Sequence, residues 1–244
     1  MSRHLAIVPA LNESGSIAQT VADIHQHAAG FDVLVVDDGS VDDTAAIAAA
    51  AGARVISLPF NVGIGGAVQC GYLYARDNGY QVAVQVDGDG QHDARDIPRL
   101  LAALGEEPAV EMITGSRFLT DQGGYRSSPL RRAGIRVFAA LISLLTHQRV
   151  TDATSGFRMS TRRGIELFAR DYPHDYPEVE AILLLHAHQL RSREVAVTMR
   201  PRTSGRSTIA RAVPAYYMVK VLLAVFVGVL RARPRFEAEE EPPR

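Results

Sequence analysis

Two carboxylates separated by one glycine, Asp87 and Asp89, stand in the stretch VQVDGDGQHD at residues 84–93. Such a pair at the end of a strand can bind Mg²⁺ or Mn²⁺, hard cations that prefer oxygen ligands and often share them with substrate phosphates. Gly88 and Gly90 let the backbone turn closely around the pair. A solvated turn with a helix cap is the plainer use of the same residues. An EF-hand is a poor fit, because Pro98 occupies the loop position where that motif needs Glu. Three further polar pairs, Asn12-Glu13, Asp37-Asp38 and Ser116-Arg117, also follow apolar runs.

Those runs are the elements that must position the chemistry. HLAIVP (4–9), FDVLVVDD (31–38), ARVISL (53–58), QVAVQV (81–86) and VEMITGS (110–116) read as strands. Helices are expected over 16–28, from a cap at Asp42 or Asp43 through Ala51, over 64–77 and over 97–104. The alternation predicts an α/β protein with a largely parallel sheet covered by helices. Ligands of such sheets bind beyond the carboxyl ends of the strands, so the four polar motifs should converge on one edge. After Arg117 the pattern changes. A loop (120–129), a helix (130–147), the loop DATSGFR (152–158), a helix (178–190), a strand (193–202) and the loop TSGRST (203–208) are expected in turn.

The 244 residues suit one large domain or one domain with a tail. With 47% apolar and 22% charged residues the chain has material for a core. A net charge of −1 gives no basic excess that would suggest nucleic acid. Lys220 is the one lysine, so positive charge is carried by Arg, which suits bidentate phosphate binding. Cys70 stands alone, which excludes an intrachain disulfide and a cysteine zinc cluster. The apolar run near the N-terminus is too short for a signal peptide, so export is not expected. Residues 213–230 are apolar except for Lys220, and as a helix would reach ~27 Å, marginal for a bilayer. Arginines on both sides favour attachment to an anionic surface over a simple span, with packing on a partner or burial as a core helix as the other readings. The segment 236–244 is acidic and expected to be disordered.

PALNES (9–14), VVDDGSVDDT (35–44), NVGIGGAVQCGYLYA (61–75), DGDGQH (87–92) and GSRF (115–118) occur in that order. Together with DATSGFR and RTSGRST they resemble the family 2 glycosyltransferases of GT-A fold. The nearest likeness is to the dolichol-phosphate mannosyltransferase branch and its bacterial polyprenyl-phosphate relatives. The resemblance covers about residues 4–230. It implies a GT-A domain over 1–211 with a mixed, mostly parallel sheet, then an apolar membrane-proximal or partner-packing helix over 212–235 and the tail. It implies a nucleoside diphosphate sugar as donor and Mg²⁺ or Mn²⁺ as cofactor. Pro9, Ala10, Asn12 and Glu13 would line the nucleotide, and Asp37 and Asp38 would contact base or ribose. Asp87 and Asp89 would form the metal element, with Asp89 in direct contact and Gln91 as a further ligand. Gly65, with Gly63 and Gly66, lies where the family closes a loop against the nucleotide; a helix start with close packing is the alternative of equal weight. Arg202, Arg206 and Ser207 would clamp the diphosphate, although Thr208 stands where the family often has Lys.

The acceptor implied is a polyprenyl phosphate at the cytoplasmic face of the membrane. Arg117, Arg131 and Arg158 are the candidates for its phosphate. Ionised phosphate needs no strong general base, whereas a sugar hydroxyl would need one. Asp152 is the candidate base in that second case, and orienting Arg158 or capping the loop is its plainer role. The catalytic set is then Asp89, Arg117 and Asp152, and inversion at the anomeric carbon is what the resemblance implies. A nucleotidyltransferase and a non-catalytic nucleotide-sugar binding protein are the rivals of other classes. A membrane partner protein or a homo-oligomer is left open.

Overall fold

A computed structural model describes residues 3–119 and 129–200, with side chains described for 3–119 and 136–200. The first half alternates as the sequence predicts: β1 (His4–Ala10), α1 (Ile17–His27), β2 (Phe31–Asp37), α2 (Thr44–Ala50), β3 (Arg54–Ser57), α3 (Gly63–Asp77), β4 (Val82–Gln85), α4 (Ile97–Glu106) and β5 (Val110–Ser116). One 3₁₀ turn, Ala94–Asp96, precedes α4. The second half holds α5 (Pro129–Thr146), β6 (Arg158–Thr161), α6 (Arg162–Arg170), α7 (Pro177–Ala187) and β7 (Arg191–Ala196).

The strands form one sheet of order β3-β2-β1-β4-β6-β5-β7. All pair in parallel except β6, which lies antiparallel between β4 and β5. The alternation of side chains along the strands divides the core. Leu5, Ile7, Leu34, Val36 and Ala83 face α3, α6 and α7, while Ala6, Val8, Val33, Val35 and Val84 face α1 and α4. The central strands are apolar on both faces because helices cover both.

Strand β6 and helix α6 are not anticipated by the sequence reading. Four residues are too few for a period-2 signal, and the charges of TRRGIELFAR obscure the helix. Thr161 starts α6 by accepting the Gly164 N–H at 3.3 Å. The last strand is also shifted: it begins at Arg191 and ends at Ala196, where its partner β5 ends at Ser116. At α2 the cap is provided by Asp42, which accepts the Thr44 N–H at 3.1 Å, while Asp43 makes no side-chain cap bond.

Gly65 is a correction. It is buried where α3 meets the 173–174 loop, and a Cβ there would fall within 2.7 Å of His174 Cα and closer still to the Pro173 carbonyl. Its role is the close packing of α3 rather than donor contact. Because the atoms met are backbone, they cannot rotate away. Gly65→Ala is expected to lower stability by about 2 kcal/mol, read from the urea midpoint with the slope unchanged.

Candidate active site at the carboxyl edge

The carboxyl ends of β1, β2, β4 and β5 share one edge, and the amino end of β6 lies among them, since Arg158 pairs with Gln85 and Thr114. Asp37, Asp38, Asp87, Asp89, Arg117 and Asp152 all lie at or just beyond this edge, whereas Arg158 and several of the acids do other work there than expected.

On the β1–β2 side, side chains hold backbone. Asn12 adopts φ 55, a region it tolerates, and its Oδ1 accepts the Val41 N–H at 2.9 Å. Its own N–H donates to Ser40 Oγ at 2.9 Å. The Glu13 N–H donates to Thr44 Oγ1 at 2.9 Å, and the Glu13 carboxylate accepts from Ser16 Oγ at 2.9 Å. Asp37 accepts the Ser40 N–H at 3.1 Å. Asp38 accepts the N–H groups of Val62 and Gly63 at 2.7 and 3.0 Å, so this buried carboxylate holds the start of α3. Gly39 between these loops has φ +75, and a Cβ there would lie 2.9 Å from the Phe60 carbonyl carbon. Pro9 and Ala10 contribute carbonyls, accepting the N–H of Gly88 at 3.3 Å and of Asp38 at 2.9 Å.

The acidic loop follows β4. Asp87 is partly exposed and Asp89 buried. Asp89 Oδ1 accepts the Gln91 N–H at 3.0 Å. His92 is buried and stacked on Phe157 with ring centroids 4.8 Å apart. Its Nδ1 accepts the Asp87 N–H at 3.0 Å, which turns Nε2 toward the Asp87 carboxylate 3.6 Å away. Gly156 leaves the opposite side of Asp87 open, because a Cβ there would stand 3.3 Å from both carboxylate oxygens. No cluster of three or more His, Cys, Asp or Glu residues occurs among the described residues. Two carboxylates with a glycine-lined opening nonetheless fit a Mg²⁺ or Mn²⁺ ion that takes further oxygens from water and phosphate.

At the end of β5, Arg117 and Asp152 form a buried bidentate pair. Nε and one terminal nitrogen of Arg117 donate to the two oxygens of Asp152 at 2.6 and 2.7 Å, and the Arg117 N–H adds a third bond at 3.1 Å. Thr154 Oγ1 joins both partners. Asp152 is 0% exposed. Burial alone would raise its carboxyl, but the Arg117 guanidinium overcomes this and holds it below the usual aspartate value. Asp152 is thus bonded to Arg117 and to Thr154 of its own loop, the capping role, and makes no hydrogen bond to Arg158 among the described residues.

Arg158 is the second correction. It is 1% exposed, and its guanidinium donates to the carbonyls of Ser155, Pro177 and Glu178. It braces the start of α7 from β6 and is withdrawn from an acceptor phosphate. Arg131 falls in the first turn of α5, and its side chain lies outside the described ones. Arg202, Arg206, Ser207, the 212–235 helix and the 236–244 tail lie outside the described residues altogether.

Three acids had no assigned role from sequence. Glu194 of β7 accepts the N–H groups of Thr151 and Asp152 at 2.8 and 2.9 Å, and so fixes the loop that fixes Arg117. Asp93 is buried; burial works to raise its carboxyl, but bonds from Arg95 and the charge of Arg200 hold it at about 2. Glu178 is raised by desolvation and by the nearby charge of Asp87, against the pull of Arg158. A reading of DGDGQHD could have singled out Asp93 as the cap before the 3₁₀ turn; nothing local marks Glu194.

A mostly parallel α/β sheet with one reversed strand and helices on both faces is the architecture of the GT-A glycosyltransferases. Residues 5–168 match the glycosyl transferase family 2 domain, and the chain belongs to that family. It is similar to the undecaprenyl-phosphate mannosyltransferase of Micrococcus luteus, 30% identical and covering 95% of this chain and 98% of the relative. The UDP-N-acetylglucosamine–dolichyl-phosphate N-acetylglucosaminyltransferase of Methanococcus voltae is 27% identical, covering 78% and 83%. Glucosyl-3-phosphoglycerate synthase of Mycobacterium tuberculosis, solved with Mn²⁺, UDP and glucosyl-3-phosphoglycerate, shares the fold at TM-score 0.71 and 21% identity, over 93% of this chain and 80% of that one.

Replacing Asp152 by Asn would leave a buried guanidinium without its counter-charge, at an expected cost of about 3 kcal/mol near pH 7. Since the folded Asp152 titrates below its ordinary value, its stabilisation is present above that value and lost as pH falls through the lower, folded one. The stability gap between wild type and Asp152→Asn should thus be widest near neutrality and close on acidification, in urea titrations run from pH 7 down to pH about 3.

Proposed function

We propose that the protein moves one sugar from a nucleoside diphosphate sugar to a polyprenyl phosphate at the cytoplasmic face of the membrane, with inversion at the anomeric carbon and a requirement for Mg²⁺ or Mn²⁺. The nearly full-length similarity to an undecaprenyl-phosphate mannosyltransferase supports this reading. The observation that carries it is the state of Asp152: the carboxylate beside Arg117 is held ionised by three bonds from that arginine. Such a site offers positive charge and no ready base there, which suits an acceptor already ionised as phosphate.

Asp87, Asp89 and Gln91 would hold the divalent ion, which would supply Lewis-acid stabilisation for the charge of a leaving diphosphate. Arg117 contributes positive charge at the end of β5, held in one orientation by Asp152 and Thr154. Asn12, Glu13, Asp37 and Asp38 keep the loops that border the nucleotide in place through backbone bonds. Arg131, at the start of α5, is the remaining arginine for the acceptor phosphate, and Arg202, Arg206 and Ser207 remain the candidates for the donor diphosphate. Among the described residues no helix is long and apolar enough to cross a membrane, so contact with lipid is assigned to the 213–230 segment.

A hydroxyl acceptor is the second reading, and Glu178 favours it. Its carboxyl is raised by desolvation and feels the charges of Asp87, Arg117 and Arg158, as a base beside the donor site would.

The deciding assay supplies Mg²⁺ or Mn²⁺ and a panel of nucleotide sugars, each with and without a short polyprenyl phosphate. Nucleoside diphosphate release and glycolipid mass are both read. A glycosyl-phosphate lipid from one donor is the expected product. Donor turnover without lipid product would move the assignment to a hydroxyl acceptor. Asp89→Ala should lower metal-supported transfer by about 100-fold or more while leaving the thermal midpoint near wild type; full turnover by a folded variant would sink the metal role. Arg131→Ala should reduce kcat/KM for the lipid phosphate while donor affinity is unchanged, and equal losses on both sides would argue against an acceptor role.

A further inference from the structure

The chain leaving β7 crosses back over the acidic loop. Val197 donates its N–H to the Ser116 carbonyl at 3.0 Å, and Thr198 donates its own to Asp96 at 2.9 Å. Met199 pairs with His92 in an isolated antiparallel bridge, and the Arg200 N–H donates to the Gln91 carbonyl at 2.9 Å. The Arg200 side chain then joins two elements. One terminal nitrogen donates to Asp23 of α1 at 2.6 Å and the other to Asp93 of the loop at 2.9 Å.

The two ends of the acidic loop are held differently. At Gly88 it rests on β1, through the Pro9 carbonyl at 3.3 Å, and on Thr20 of α1 at 3.4 Å. Further on, a small cavity lined by Ser16, Thr20, Asp23, Gly90, His92 and Arg200 separates loop and helix. There the guanidinium bridges what apolar packing leaves open. Arg95 also binds Asp93, but it lies two residues along the same loop and is 64% exposed, so it neutralises the carboxylate without tying it to another element.

We infer that Arg200 is a positioning residue for the metal-binding loop, holding Gln91 and Asp93 at a fixed distance from α1 and thereby orienting Asp89. The Arg200 main-chain N–H holds the Gln91 carbonyl, the Arg200 side chain holds Asp93, and the Gln91 N–H, one peptide earlier, donates to Asp89 Oδ1. A shift of the loop at 91–93 is passed to Asp89 through that short stretch of backbone. This inference rests on the metal role assigned to Asp87 and Asp89 above.

The test is Mn²⁺ binding to the full chain without nucleotide, followed by the loss of free-ion electron paramagnetic resonance signal, alongside thermal melting. Arg200→Gln and Asp23→Asn are each expected to weaken Mn²⁺ binding by about tenfold, the usual effect of removing a partner that orients a ligand. Arg95→Gln should stay within about twofold of wild type, as an exposed ion pair contributes little. Wild-type affinity in both Arg200→Gln and Asp23→Asn would overturn the inference, as would an equal loss in Arg95→Gln. If Arg200→Gln fails to melt cooperatively, Asp23→Asn decides alone. If the wild-type protein binds no Mn²⁺, the metal role falls and this inference falls with it; if wild type, Arg200→Gln and Asp23→Asn all bind alike, only this inference falls.

Discussion

Burying a carboxylate and a guanidinium away from water costs several kcal/mol for each ion, and the cost is offset only when geometry and hydrogen bonding are both satisfied. Arg117 and Asp152 meet that condition, and the acceptor side of the edge is organised by it. Asp152 takes three bonds from Arg117 and further ones from Thr154. The loop that carries it gives its N–H groups to Glu194 of β7. Ser116 and Thr151 share a hydroxyl contact of 2.6 Å across the same junction. The end of β5, the loop before β6 and the edge strand β7 are thus tied by charge and hydrogen bonds at a point where the apolar core has ended.

The β1–β2 side uses a different solution. Asp38 accepts the N–H groups of Val62 and Gly63, and Asp37 that of Ser40, so these acids hold neighbouring loops through their backbone. A carboxylate that accepts amide donors satisfies the loop's backbone and holds the turn. The two sides meet at the acidic loop. His92 contacts Asp87 there and stacks on Phe157, which follows the Asp152 loop.

The first half of the fold was legible because its strands are long apolar runs followed by polar breaks, and each of the first five predicted strands is present within a residue or two. The convergence of Asp37, Asp87, Asp89 and Arg117 followed from that alternation. What was hidden depended on tertiary context. Arg158 looked like an exposed cation because most arginines are; a four-residue antiparallel strand, which carries no periodic signal of its own, draws it into the sheet. Gly65 shares a stretch with other glycines, and only the approach of the 173–174 loop separates packing from ligand contact. Glu194 lies 42 residues from Asp152, and no local pattern links them.

Strand β6 runs against its neighbours, so the chain that leaves the sheet after Ser116 rejoins it at Arg158 on the same edge. Helix α5 and the Asp152 loop lie in the stretch between, and they place Phe138, Ile142 and Phe157 in the core. A stretch whose two ends are neighbours in the sheet can change length without resetting the mutual register of β1, β2 and β4, so the strands leading to Asp37 and Asp87 are insulated from such changes.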